Sequence, residues 1–152
     1  MITLLDITTC ILGTFGFSVL LKVSKQKLIY TVLGGAISAS SSYFLLQKGY
    51  GIFTATFFAM VAICIYSELL ARIIKAPANI ILLPSTIPLL PGGSLYYTVS
   101  YLLHSDKENF LIYAKETVLT GAGIALGAIF ISIIITFITD IKKQISRGVY
   151  HP

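Results

Sequence analysis

The sequence predicts an all-α protein, a polytopic membrane helix bundle of about five transmembrane segments with the fourth broken by prolines. Three observations predict it. Of the 152 residues, 56% are hydrophobic and 11% charged, with a mean hydropathy of +0.89, against about 25% charged in an ordinary soluble domain. The apolar residues fall into five runs, each near the roughly 20 residues needed to cross hydrocarbon. The basic residues collect in the short segments between the runs, where they anchor a chain to one side of a bilayer. No second class of composition interrupts this pattern, so residues 1–152 read as a single integral membrane domain.

The first run, Ile2 to Leu21, carries Gly13 and Gly16 as points of close approach and is closed by Lys22, Lys25 and Lys27. It lacks a basic leader and is interrupted early by Asp6, so it is expected to stay as an anchor and not to be removed as a signal peptide. The second run, Leu28 to Leu46, is rich in small and hydroxyl residues. Gly35, Ser38, Ala39 and Ser42 share one helical face, fit either to receive a neighbouring backbone or to line a polar path. The third run, Gly51 to Ile74, holds Glu68 and, four residues on, Arg72 on the same face. An ionisable residue in a span is a functional candidate. Glu68 reads as one half of an interfacial ion pair or as a carboxylate that carries a proton. The fifth run, Thr117 to Ile138, contains Gly121 and the GxxxG pair Gly123 and Gly127, a packing seam.

Charge orients these runs. With the Lys22 loop in the cytoplasm, five crossings place Lys22, Lys25, Lys27, Arg72, Lys75, Lys142, Lys143 and Arg147 inside and only Lys48, Lys107 and Lys115 outside. The expected topology therefore has its amino terminus outside and its carboxyl terminus cytoplasmic, in the cell membrane. The net charge of +5 forms no patch or stripe of the kind that grips nucleic acid. Tyr43, Phe44, Tyr50 and Tyr101 fit an interfacial belt, and His104 and His151 are expected in solvent. Cys10 and Cys64 lie in apolar runs without ligand spacing and read as small apolar residues. No metal, cofactor or catalytic motif is present in the sequence, and an enzyme is not expected.

The fourth run, Asn79 to Leu103, is the unusual one. Pro84, Pro88 and Pro91 each lack an amide donor and crowd the carbonyl four residues earlier, so one helix through all three is unfavourable. Gly92 and Gly93 then free the backbone, and Ser94 is placed to cap a new helix through Tyr101 and Leu103. Unpaired backbone at membrane depth costs several kcal/mol and survives where protein wraps it or water reaches it. The start of the new helix would offer free amides and a positive dipole end, suited to a carboxylate. Ser85, Thr86 and Ser94 would add hydroxyls, and Tyr96 or Tyr97 would close the pocket with an amphipathic ring. The competing reading is a kinked span that packs against a partner.

The stretch Leu83-Pro84-Ser85-Thr86-Ile87-Pro88-Leu89-Leu90-Pro91-Gly92-Gly93 resembles the proline-rich signature of the threonine/serine exporter family. The upstream Tyr66-Ser67-Glu68-Leu69-Leu70-Ala71-Arg72 and Lys75-Ala76-Pro77-Ala78 are similar in kind. The likeness is to the small, single-domain type of member, a separate polypeptide from the larger membrane subunit. It implies export of small hydroxy amino acids, or in some relatives a dicarboxylate, driven by the proton motive force. It carries the signature onto Pro84, Pro88, Pro91, Gly92 and Gly93, with Glu68 and Arg72 as neighbours. Where the family often has glycine after the first proline, this chain has Ser85.

Five short spans scarcely supply a site and two moving walls, and transporters commonly pair two repeats around one site. A larger companion subunit is therefore expected, with the small-residue faces of the second and fifth runs as candidate seams. Two other classes compete with an exporter subunit. One is a membrane scaffold that stabilises its partner without transporting, and the other is a channel.

Overall fold

A computed structural model describes the backbone of residues 4–148 and the side chains of residues 8–141. Ile2 and His151 lie outside the described residues, as do the side chains of Asp6, Lys142, Lys143 and Arg147. Six helices follow in order: α1 Leu4–Leu20, α2 Lys25–Gln47, α3 Ile52–Ile74, α4 Asn79–Ser85, α5 Gly92–Leu103 and α6 Lys107–Gly148. A single 3-10 turn, Ile87–Leu89, sits between α4 and α5. Among the described residues there is no strand.

Among the described residues, three helices are long and apolar enough to cross a membrane unaided: α2, α3 and the Lys107–Ile141 part of α6. Residues Asn79–Leu89 and Gly92–Leu103 make a fourth when counted together, bent by 52° at the interruption. The apolar part of α1, Thr8–Leu20, is shorter. The whole of α1 is 17 residues, about 26 Å at 1.5 Å per residue against a hydrocarbon core of about 30 Å. At 42 residues, α6 exceeds the expected fifth run at both ends, and it takes in Lys107 and Lys115, which the sequence places in a loop.

Four of the joints are alike. Lys22, Gly49, Lys75 and Ser105 each take a left-handed backbone, and the residue after each donates its amide back five residues, for example Val23 to Ser18 and Ala76 to Ala71, both at 3.0 Å. This closes the last helical carbonyls. Lysine at two of these positions, instead of the usual glycine, also places a cation beside the negative end of the helix dipole. The joint between α4 and α5 is different in kind. It has no left-handed residue, and its backbone passes through Leu90 and Pro91 with the Gly92 amide bonded to the Leu90 carbonyl at 2.8 Å.

The distribution of polarity suits lipid. Large apolar side chains such as Leu20, Leu103 and Phe137 are outside, whereas Thr14, Ser18, Thr31, Ser38, Thr56, Ser67, Ser85 and Thr120 are buried. Most of these hydroxyls bond to a carbonyl three or four residues back in their own helix, as Ser38 does to Gly35 at 2.8 Å. The apolar core is small: Ala59, Met60, Ile63 and Cys64 of α3 meet Leu89 and Ile131.

Glycines set the helix spacing. A Cβ on Gly35 would lie 2.7 Å from the Thr14 methyl, joining α2 to α1. A Cβ on Gly123 would lie 2.8 Å from the Phe53 carbonyl, and one on Gly127 would lie 2.9 Å from Met60, joining α6 to α3. A Cβ on Gly121 would meet nothing within 4 Å, whereas at Gly35, Gly123 and Gly127 the faces expected to receive a companion subunit are filled by this chain's own helices. The reason is that a short chain must close its own backbone contacts first, and small residues provide the closest ones. Each step of four along α6, from Gly123 to Gly127, is matched by a step of four along α3, from Thr56 to Met60. The two helices are parallel, so the chain between them passes from one end of the bundle to the other.

Candidate functional site: an interrupted helix and the turn of α2 that holds it

The middle of α2 is the seat on which the first half of the interrupted helix rests. Gly34 and Gly35 lack side chains one turn beyond Tyr30 and Thr31, which leaves those two carbonyls open to neighbours. The Tyr66 hydroxyl of α3 donates to the Tyr30 carbonyl at 2.9 Å. From α4, the Ser85 hydroxyl is shared between the Thr31 carbonyl at 3.1 Å and the Ile81 carbonyl at 2.7 Å. Ser18 of α1 is 2.8 Å from the Thr31 hydroxyl, which itself donates to the Leu28 carbonyl. Three helices are therefore bonded to one turn of a fourth. Interhelical bonds in a membrane average about 0.6 kcal/mol each, so their convergence fixes position more than it adds stability.

The residues expected to form a substrate site divide across the interruption. Pro84 and Ser85 are fully buried in the α2–α4 contact, and Thr86 donates its hydroxyl to the Leu83 carbonyl at 2.8 Å. Pro88 and Pro91 are half-buried, Gly92 and Gly93 are exposed, and a Cβ on either glycine would meet nothing within 4 Å. Ser94 is not the cap of α5. The helix begins two residues earlier with Pro91 at the cap position, because Pro91 already ends the preceding backbone and Gly92 can enter the helix at once. The Ser94 carbonyl instead accepts from Thr98 at 2.7 Å. Tyr96 is exposed, and its ring meets Tyr97 edge-on, 5.5 Å between centroids.

Beyond the interruption α5 leaves the bundle and packs along α6. Tyr97 and Tyr101 both reach Tyr113, at 5.1 and 5.5 Å between ring centroids, and Thr98 faces Thr117 at 3.4 Å. None of the α5 side chains is buried. The interrupted helix therefore has one half fastened inside the bundle and one half laid on α6.

Glu68 and Arg72 lie at the other end of α3, their nearest charged atoms 4.0 Å apart and both side chains partly in solvent. The structure does not bring this pair to the interruption. It brings Glu68 instead to a cavity of about 330 Å³ between α3, the start of α4 and the second half of α6, with Ser67, Asn79, Ser132 and Thr136 as its other polar lining. Ser132 and Thr136 are separated from Glu68 by more than 60 positions in the chain, so periodicity within one run could not join them. A second cavity, about 380 Å³, opens beside Asn79 on the opposite side of α4 and includes Lys22 and Lys27.

A helical bundle with an apolar exterior, a hydroxyl-lined interior and one interrupted helix defines the class of a polytopic membrane protein. The sequence profile of the family described as Threonine/Serine exporter, ThrE, matches residues 6–134. The chain belongs to that family. No curated protein and no solved structure matches it.

Proposed function

We propose that the chain is a subunit of a secondary transporter that exports threonine, serine or a related small carboxylate, driven by the proton motive force. The observation that carries this reading is the interruption between Ser85 and Gly92 in a chain of the exporter family. One side of it is locked to α2, and the other begins with two glycines whose faces are open. The Gly92 and Leu95 amides are bonded to the Leu90 and Pro91 carbonyls, which leaves the Gly93 and Ser94 amides at the start of α5 without a helical carbonyl one turn back, and a carboxylate is the natural acceptor for them. Pro84, Ser85, Thr86, Pro88 and Pro91 hold the approach, while Gly92, Gly93, Ser94 and Tyr96 meet the substrate. Glu68, with Arg72 one turn on, carries the proton.

The proposed topology has five crossings, with the amino terminus outside, the carboxyl terminus cytoplasmic, and α4 with α5 as the fourth crossing. The parallel run of α3 and α6 supports it, since a segment that dipped in and returned would make them antiparallel. The partner is a larger membrane subunit of the same family. With Gly35, Gly123 and Gly127 occupied internally, the exposed side of α5 and the side of α1 that carries the open Gly13 and Gly16 are surfaces left for it. Because Gly93 faces open space, Gly93→Val leaves the chain's own packing untouched. The test is threonine efflux from cells expressing both subunits. Lost efflux with normal membrane levels and normal assembly supports the site. Lost assembly would favour a scaffold, and efflux unchanged by an uncoupler would favour a channel.

A further inference from the structure

Ser67 is the exception among the buried hydroxyls. Its side chain is fully buried, yet its Oγ has no hydrogen-bond partner among the described residues, although the carbonyl of its own helix one turn back is the usual acceptor for a serine in a membrane span. A buried hydroxyl left unpaired costs on the order of 1–3 kcal/mol, and such an atom calls for a ligand or water. Ser67 lines the cavity between α3, α4 and α6, next to Glu68.

The lining specifies a chemistry. Cys64, Ala78 and Ala128 keep the walls small, Leu82, Ile131 and Ile135 supply apolar surface, and Glu68, with the half-exposed Arg72 4.0 Å from it, is the charged residue of the lining among the described residues. A carboxylate at the mouth of a partly apolar cavity attracts a cation and repels a second anion. Asn79 and Ser132 can hydrogen bond either way. A volume of about 330 Å³ admits a molecule of a few heavy atoms with room for water.

We infer that this cavity is an ammonium-accepting site for a small hydroxylated amino acid, in which Glu68 takes the α-ammonium and the buried Ser67 hydroxyl completes the polar floor. The identity of the amino acid rests on the exporter reading above; the preference for an ammonium does not. The site is separate from the interruption. Thr98 pairs with Thr117 and Tyr101 with Tyr113, so Ser94 lies near the level of Gly121 on α6. Ser132 is eleven residues farther, about 16 Å along the helix, beyond the reach of one threonine. The two places are successive stations, the cavity being the one at the end of the bundle that carries Lys22 and Lys75. A carboxylate that binds either a proton or an ammonium also makes the two compete, which is the simplest way to exchange one for the other.

Cys64 in the lining gives a direct readout. The full chain with Cys10→Ser, in lipid nanodiscs, is treated with aminoethyl methanethiosulfonate or its sulfonated counterpart, and labelling of Cys64 is followed by mass spectrometry. The ammonium reagent is expected to react faster than the anionic one by about tenfold, the scale of one charge-assisted contact. L-Threonine and L-serine should slow the reaction, whereas 2,3-dihydroxybutyrate, which has no amine, should not. Glu68→Gln should remove both discriminations, and Ser67→Ala should weaken threonine protection about tenfold while leaving the reagent preference in place. Gly93→Val should leave protection unchanged even if it abolishes efflux, which separates this site from the substrate site at the interruption. Equal protection by the deaminated compound, no protection by either amino acid, or a Cys64 that reacts with neither reagent would overturn the proposal.

Discussion

Ser85 lies directly against Gly34: a Cβ added to the glycine would stand 2.8 Å from the Ser85 Cβ and closer still to its hydroxyl. The serine fills the hollow that the glycine leaves, and it bonds through that hollow to the Thr31 carbonyl.

Gly34→Ala is therefore expected to destabilise the bundle by about 1–3 kcal/mol, the usual cost of overpacking. Ser85→Gly in the same chain should restore much of the loss, because it removes the atoms that the new methyl meets. Thermal unfolding of the two single variants and the double variant in detergent measures the coupling. Additive losses would mean that the two positions do not touch.

The Ser18 and Thr31 hydroxyls, 2.8 Å apart, tie α1 to α2. Ser18→Ala and Thr31→Val taken through a double-mutant cycle should give a coupling of about 0.6 kcal/mol, and no more than about 1.7 kcal/mol, the range for such bonds in membranes. Each hydroxyl also bonds to a carbonyl of its own helix, Ser18 to Thr14 and Thr31 to Leu28, so neither loss strands a buried donor.

Asp106 caps α6. Its carboxylate accepts from the Asn109 amide at 3.2 Å and from the Asn109 side chain at 2.8 Å, and these bonds, the side-chain one first, hold its pKa below the ordinary aspartate value. A depressed carboxylate contributes stability that is present above its unfolded pKa and is lost as pH falls through the lower, folded one. Carbon-13 titration of labelled aspartate should place this group below the ordinary aspartate value, and Asn109→Ala should raise it toward that value. An unmoved midpoint in that variant would falsify the capping role.

Arg72→Ala should change stability by no more than about 0.5 kcal/mol, since the pair with Glu68 is stretched to 4.0 Å and partly solvated. Thermal unfolding of the variant in detergent checks this, and a clearly larger loss would mean that the pair is shielded from solvent.

Much of the fold was legible because lipid imposes strict rules. Runs of about 20 apolar residues located α2 and α3 to within a few residues, and the stretch from Pro84 to Gly93 coincides with the 52° bend, although α4 continues through Pro84. The GxxxG pair read correctly as a seam, but its partner, the Phe53 to Met60 stretch of α3, was invisible in a periodic pattern that names faces and not neighbours. Ser94 was assigned the cap because serine is the preferred residue there, whereas Pro91 and Gly92 had already begun the helix. Ser67 was missed altogether. It looks like any serine of a membrane helix until its missing hydrogen bond is seen.

By itself the sequence determined a membrane protein of helices, the place where one helix stops, and the family to which the chain belongs, because each is written in residues close together along the chain. Only the tertiary structure decided that α2 holds the first half of that helix, that α5 lies on α6, and that Glu68 opens onto a cavity with Ser67 and Ser132. The physical reason is that which faces meet depends on where glycines let two backbones approach, and that is settled between helices and not within them.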